Sequence, residues 1–137
     1  MSLVLLFTTI INGGAIAQEQ PVLPSGESVR MQIEAMMMKD TMMIANSYHK
    51  DIEIFNFPSK VLASGLSSAK KYWASQAQSK DQVHFEFLDE REVGATYVVT
   101  LKKIVHGADE EKEIVTEVVF IYQFEDKKIR RIYFILN

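Results

Sequence analysis

The second half of the chain constrains the fold most. It holds four runs in which apolar and polar residues alternate, 82–92, 96–106, 113–124 and 129–136, joined by short connections. Alternation at period two marks strands with one buried face, and short turns join such strands antiparallel. Gly94 falls in the first turn, 107–111 is a polar loop, and 125–128 is a charged turn. The run EIVTEVVFIYQF is apolar on both faces from Val118 to Tyr122, which predicts an interior strand covered on both sides.

A meander of this kind needs a cover for its apolar face, and the first half supplies helices. Val29, Ile33, Met36, Met37, Met43, Ile44 and Ser47 recur at 3.6 residues per turn within 27–50. Asp40 would interrupt that stripe, and an unpaired carboxylate in a core is costly. The spacing therefore predicts a break near Lys39, with Asp40 as N-cap of a second helix over 41–49. Ser25 is the expected N-cap of the first helix, with Glu27 near its positive end. DIEIFNF, 51–57, alternates as a strand and Pro58 ends it. Residues 59–64 read as a loop. Gly65 precedes a third helix over 66–79 that turns Ala69, Tyr72, Trp73 and Ala77 inward. The order α-α-β-α-β-β-β-β is an α+β fold with helices on one face of a curved, mostly antiparallel sheet.

The 137 residues suffice for one domain with its own core. A net charge of -3 and the absence of a basic stripe argue against a nucleic-acid partner. Cysteine is absent, which excludes disulfides, thiolate catalysis and thiolate-held zinc. LVLLFTTII, 3–11, is too short to span a bilayer. Ala15 and Ala17 follow it in the A-x-A pattern of a leader cleavage site. Residues 1–17 are thus expected to be a signal peptide, although no Lys or Arg precedes the apolar run. The mature chain would begin at Gln18, without an integral membrane segment, and be periplasmic or secreted; without a genuine leader it would be cytoplasmic. Residues 18–26, with Pro21, Pro24 and Gly26, read as a linker, and 27–137 as the domain.

Three segments carry a resemblance to the NTF2-like superfamily, which includes SnoaL-like polyketide cyclases and ketosteroid isomerases. KDTMMIANSYHKDIEIF is similar to that family's capping Asp, short helix, aromatic and acidic strand start, here Asp40, Tyr48 and Asp51. SGLSSAKKYWASQ is similar to its glycine before a helix ending in paired aromatics, here Tyr72 and Trp73. FIYQFEDKKIRRIYFIL resembles its closing hairpin. The resemblance runs from about residue 27 to the end. It implies a bent sheet wrapped by three helices, forming a cone with an apolar pocket at its wide end. On the isomerase branch, the general base falls on Asn56, the second acid on Phe120, and the phenol donor near Gln32. None of these can do that chemistry, so an isomerase-type catalyst is not expected.

Tyr48, Asn56, Tyr72, Trp73 and Phe120 are the candidate ligand-binding residues. A phenol and an amide converging in an apolar cavity can orient a ligand's carbonyl or hydroxyl. The bland reading, local packing and hydrogen bonding, weighs equally for Tyr48 and Trp73. The cluster Met31, Met36, Met37, Met38, Met42 and Met43 reads as core before ligand wall. His49, at a helix end, His84 and His106 do not have the spacing of a metal site on one element, so no metal or other cofactor is expected. The first functional reading is an exported domain that binds a small apolar molecule without catalysis. The second is a SnoaL-type enzyme moving a proton on a polyketide- or steroid-like substrate, for which Asp40 or Glu117 would have to reach the pocket. Val99, Leu101, Ile132 and Phe134 read as more apolar sheet than one cavity needs, which predicts a homodimer burying about 800 Å² per subunit.

Overall fold

The computed structural model describes residues 24–107 and 112–136. The leader expected over 1–17 lies outside the described residues. The elements are α1 (Pro24–Met38), α2 (Thr41–Ala45), β1 (Tyr48–Asn56), β2 (Lys60–Ser64), α3 (Leu66–Gln76), β3 (Gln82–Val93), β4 (Thr96–His106), β5 (Glu113–Glu125) and β6 (Lys128–Ile135). The strands form one sheet in the order β2-β1-β6-β5-β4-β3. The meander β3 to β6 is antiparallel throughout, and β1 joins it parallel to β6. The strand expected to be interior and covered on both sides is β5; it does lie between β4 and β6, but only its inner face is buried, Val119 and Ile121 on the outward side being half-buried.

Two hairpins are set by left-handed residues. Gly94, with φ 59°, lies in the two-residue turn from β3 to β4, as the mirror-image turns of tight hairpins require. The β5–β6 turn uses Asp126 and Lys127, with φ of 52° and 64°. The chain breaks where Asp40 was expected to cap. Lys39 takes φ 59°, Asp40 N–H bonds to Ala35 C=O at 3.0 Å and Lys39 N–H to Met36 C=O at 3.2 Å, which closes α1. The Asp40 carboxylate then accepts from Met43 N–H at 3.1 Å.

Five expectations need correction. The first helix starts at Pro24, so the end of the expected linker is helical, and Ser25 lies within the first turn, its Oγ donating to Glu92 at 2.9 Å. Proline suits that opening position, where its missing N–H is not needed. The second helix stops at Ala45 rather than 49, because Tyr48 is already paired with Ile129; His49 is therefore a strand residue, not a helix end. Residues 60–64 are not loop but β2, an edge strand paired only with β1. The third helix ends at Gln76. Val99, Leu101, Ile132 and Phe134 are between 0% and 5% exposed inside the single chain, so they leave no surplus apolar face. The outward row is instead Phe55, Tyr133, Ile121 and Val98, aligned on neighbouring strands, with Phe55 stacked on Tyr133 at 5.0 Å.

The inner face packs Ile54, Ile132, Tyr122, Leu101 and their neighbours against Val29, Ile33 and Ile44 of the helices. Met36, Met37 and Met43 join that core at its margin, whereas Met31, Met38 and Met42 are exposed. On the outer side, the Glu53 carboxylate accepts from Arg130 and Arg131, each at 3.0 Å, tying β1 to β6. The bonds from Arg130 and then Arg131 hold this carboxyl below the ordinary glutamate value. A depressed carboxyl stabilises the fold above its unfolded pKa, and that contribution is lost as pH falls through the folded value. Glu53→Gln is expected to lower stability by about 1 kcal/mol at pH 7, and by less as the pH is taken below 4. Urea unfolding across that range measures it; a deficit independent of pH would show that the charge is not what matters.

Candidate functional site

Between the helices and the inner face of the sheet lies a cavity of about 310 Å³, partly open to solvent. That is near the lower end of small-molecule sites, ~300–1,000 Å³. Its buried wall is Ile44, Trp73, Phe85, Phe120 and Phe134, with Asn56 and Tyr72 half-buried beside them. Its polar rim is Lys39, Gln76, Ser79, Asp81 and Lys103. The helical period of α3 turns Tyr72 and Trp73 to the cavity, and the strand period does the same for Phe120 and Phe134, which face each other across β5 and β6. The rings meet edge to face: Tyr72–Trp73 at 4.9 Å, Trp73–Phe134 at 6.1 Å, Phe85–Phe120 at 5.5 Å and Phe120–Phe134 at 4.7 Å. Such pairs stiffen the wall beyond what burial alone supplies.

Of the five candidate residues, Asn56, Tyr72, Trp73 and Phe120 line the cavity. Tyr48 does not. It lies behind the wall, where its hydroxyl accepts from Trp73 Nε1 at 2.8 Å and from Gln32 Nε2. Gln32 Oε1 in turn accepts from the Tyr122 hydroxyl at 2.6 Å. Gln32, Tyr48 and Tyr122 are at most 5% exposed, and Gln32 is the one buried polar side chain of the core among the described residues. Burial holds both phenols well above the ordinary tyrosine value, so they are neutral hydrogen-bonding groups and not proton donors at neutral pH. The network fixes the indole from behind. Gln32 carries more of the site's architecture than its sequence context suggested; its one signal was a polar residue next to Ile33 on an apolar helix.

Asn56 Oδ1 is the single buried side-chain polar atom without a hydrogen-bond partner among the described residues. Buried acceptors are nearly always satisfied, so an unpaired one on a side chain of the cavity lining is a polar demand left unmet at that wall. The acids that an enzyme reading required are elsewhere: Asp40 is occupied as a cap, and Glu117 is exposed on the outward face of β5. Asp81, at the rim, is exposed. The other cluster of potential metal ligands is His49, Glu125 and Asp126, remote from the cavity lining, with ligand atoms within 4.8 Å of one another. There His49 Nδ1 accepts from Asp51 N–H at 3.0 Å, which leaves the proton of the neutral ring on Nε2, facing Glu125. Glu125 is also 3.6 Å from the Arg130 guanidinium. The two carboxylates are exposed at the β5–β6 turn, and nothing further among the described residues points to a cation there.

Midway along α1, Arg30 grips Glu90 through two bonds of 3.0 and 2.7 Å, and the Tyr97 hydroxyl donates to the same carboxylate at 2.7 Å. Burial and the adjacent Glu90 push the Tyr97 phenol up to about 12. Glu90 itself is opposed by burial, but the bonds from Arg30 and Tyr97 outweigh it and hold the carboxyl low. The cluster anchors α1 on β3 and β4, away from the cavity.

No protein-family model and no curated protein matches the sequence. Solved structures do. One is an uncharacterized cystatin-fold protein from Novosphingobium aromaticivorans, 22% identical, with a TM-score of 0.71, covering 82% of this chain and 98% of that one. Another is an NTF2-like protein of unknown function from Burkholderia pseudomallei, 12% identical, with a TM-score of 0.70 over 84% of this chain and 92% of that one. A third, from Shewanella denitrificans, is assigned as a SnoaL-like polyketide cyclase, 12% identical, with a TM-score of 0.68 over 82% of this chain and 90% of that one. At these identities the likeness is one of fold. With its six-stranded, mostly antiparallel curved sheet and its helices on the inner face, this protein has the NTF2-like, cystatin-type α+β fold shared by SnoaL-like and ketosteroid isomerase-like proteins.

Proposed function

We propose that the cone is a binding site for a small, largely apolar molecule and performs no proton transfer on it. The supporting observation is the pairing of an aromatic wall with a single buried, unpaired acceptor, Asn56 Oδ1, at the position where the resemblance would put a base. An amide oxygen takes a hydrogen bond from a ligand hydroxyl or N–H but does not hold a proton, and the remaining deep surface is hydrocarbon and indole. The wall is organised before binding, since Trp73 is held by Tyr48 and by neighbouring rings. A site of this kind binds without first paying to order its side chains.

Trp73 is the only tryptophan of the chain and stands in the wall, so its emission reports occupancy. Titration with a neutral, compact probe, 4-phenylbutanamide, is expected to change Trp73 emission saturably. A folded protein whose emission is indifferent to the probe would overturn the binding reading. In parallel, the wild type is expected to show no isomerisation of an enolisable ketone above the buffer rate; a clear rate would favour the SnoaL-type enzyme instead.

A further inference from the structure

Lys103 stands on the inner face of β4, where the preceding inward residues Tyr97, Val99 and Leu101 are all buried and Val105 follows. Its cross-strand partners are Phe85 and Thr116. Lys102, one residue earlier and outward, has Glu86 at 3.7 Å. Lys103 has no carboxylate within 4.0 Å and no hydrogen-bond acceptor among the described residues. Lys103 is half-buried: a lysine stem packs on an apolar wall and leaves its ammonium at the rim, where it can meet an anion. The other rim cation, Lys39, is already committed: its ammonium donates to the Ser79 carbonyl, bridging the ends of α1 and α3. Among the described lining residues, two cations against the one exposed carboxylate of Asp81 leave the rim positive. Along β4, Lys103 is four residues from Val99, which is aligned with Phe120 and, through it, with Phe134 and Asn56. At about 3.3 Å per residue this sets the Lys103 backbone roughly 13 Å along β4 from that row, while Phe85, cross-strand to Lys103 and 5.5 Å from Phe120, carries the aromatic wall up to it.

From this we infer that the cavity selects carboxylic acids with a compact apolar body, the body on the aromatic wall and the carboxylate at Lys103. The inference rests on the binding reading above and adds its specificity. A carboxylate on an ammonium in a partly desolvated rim gains a charge-assisted hydrogen bond that an isosteric amide cannot match.

The test compares 4-phenylbutanoate with 4-phenylbutanamide by Trp73 emission at pH 7, backed by calorimetry. In the wild type the acid is expected to bind about tenfold or more tighter than the amide, consistent with hydrogen bonds to charged groups. Lys103→Met should bring the two within about threefold, mostly by weakening the acid, while Lys102→Met keeps the wild-type preference. Should Lys103→Met fail to fold by circular dichroism, salt supplies the second measurement. Raising the ionic strength should weaken the acid and leave the amide unmoved. Equal affinity of acid and amide for the wild type overturns the inference and leaves the binding reading standing. A preference that survives Lys103→Met, or one that salt does not touch, also overturns the assignment to Lys103. If neither compound binds, both readings fall together.

Discussion

Gln32→Leu is expected to lower stability by about 2–3 kcal/mol, although the replacement is apolar and close in size. The Tyr122 hydroxyl is fully buried and donates only to Gln32 Oε1, so the variant strands it in the core. The Tyr48 hydroxyl loses one donor but keeps Trp73 Nε1. A stranded buried donor costs ~1–3 kcal/mol, and the core must also absorb a different shape. For a domain of this length each kcal/mol moves the midpoint by roughly 3–5 °C, so thermal unfolding should shift down by about 6–15 °C. The double variant Gln32→Leu with Tyr122→Phe should recover about 1–2 kcal/mol, because removing both partners of a buried bond is far milder than removing one. A double variant no better than the single one would show that the loss comes from packing and not from the orphaned hydroxyl.

Phe120→Asp is expected to have the larger effect, on binding and on the fold together. Phe120 is 2% exposed, on the interior strand, in edge contact with Phe85 and Phe134. Truncating a buried phenylalanine already costs about 3–5 kcal/mol, and an ionised carboxylate there adds a desolvation term. The new carboxyl should therefore titrate above its ordinary value. A raised folded pKa means that the folded state binds the proton more tightly than the unfolded one. The deficit relative to wild type is then smallest in acid and grows as pH rises from about 4 through the raised value. Urea unfolding at pH 4.5 and pH 7 reads this directly. Phe120→Leu, which keeps the wall apolar, should retain the Trp73 response to 4-phenylbutanamide, whereas Phe120→Asp should lose it where circular dichroism shows a folded chain. A pH-independent deficit would mean that the aspartate reaches water and that Phe120 is not deep in the site. A response retained by folded Phe120→Asp would move the ligand elsewhere.

The four strands of the meander, their turns, the interior place of β5 and the cap at Asp40 were legible in the sequence because each is a local matter. Alternation, a turn residue and an N-cap act over two to five neighbours, and their physics is written in that span. Tyr72 and Trp73 were legible for the same reason, being on one face of one helix. What only the tertiary structure decided depends on residues far apart in the chain. Whether Tyr48 ends a helix or starts a strand was settled by Ile129, eighty-one positions away, which pairs with it. Residues 60–64 became a strand because β1 offered them an edge; alone, KVLAS is too short and too mixed to declare itself. The inward side of Val99, Leu101, Ile132 and Phe134 was readable as apolar, but whether helices or a second copy would cover them was not. Burial comes from packing across the whole fold, and here those residues are covered within one chain. Gln32 is the sharpest instance. On its helix it reads as a misplaced polar residue, and only when β1, α3 and β5 arrive do Tyr48, Trp73 and Tyr122 make it the link behind the cavity wall. A buried hydrogen bond needs two groups and the absence of water, and neither the partner nor the dryness is a property of one stretch of sequence.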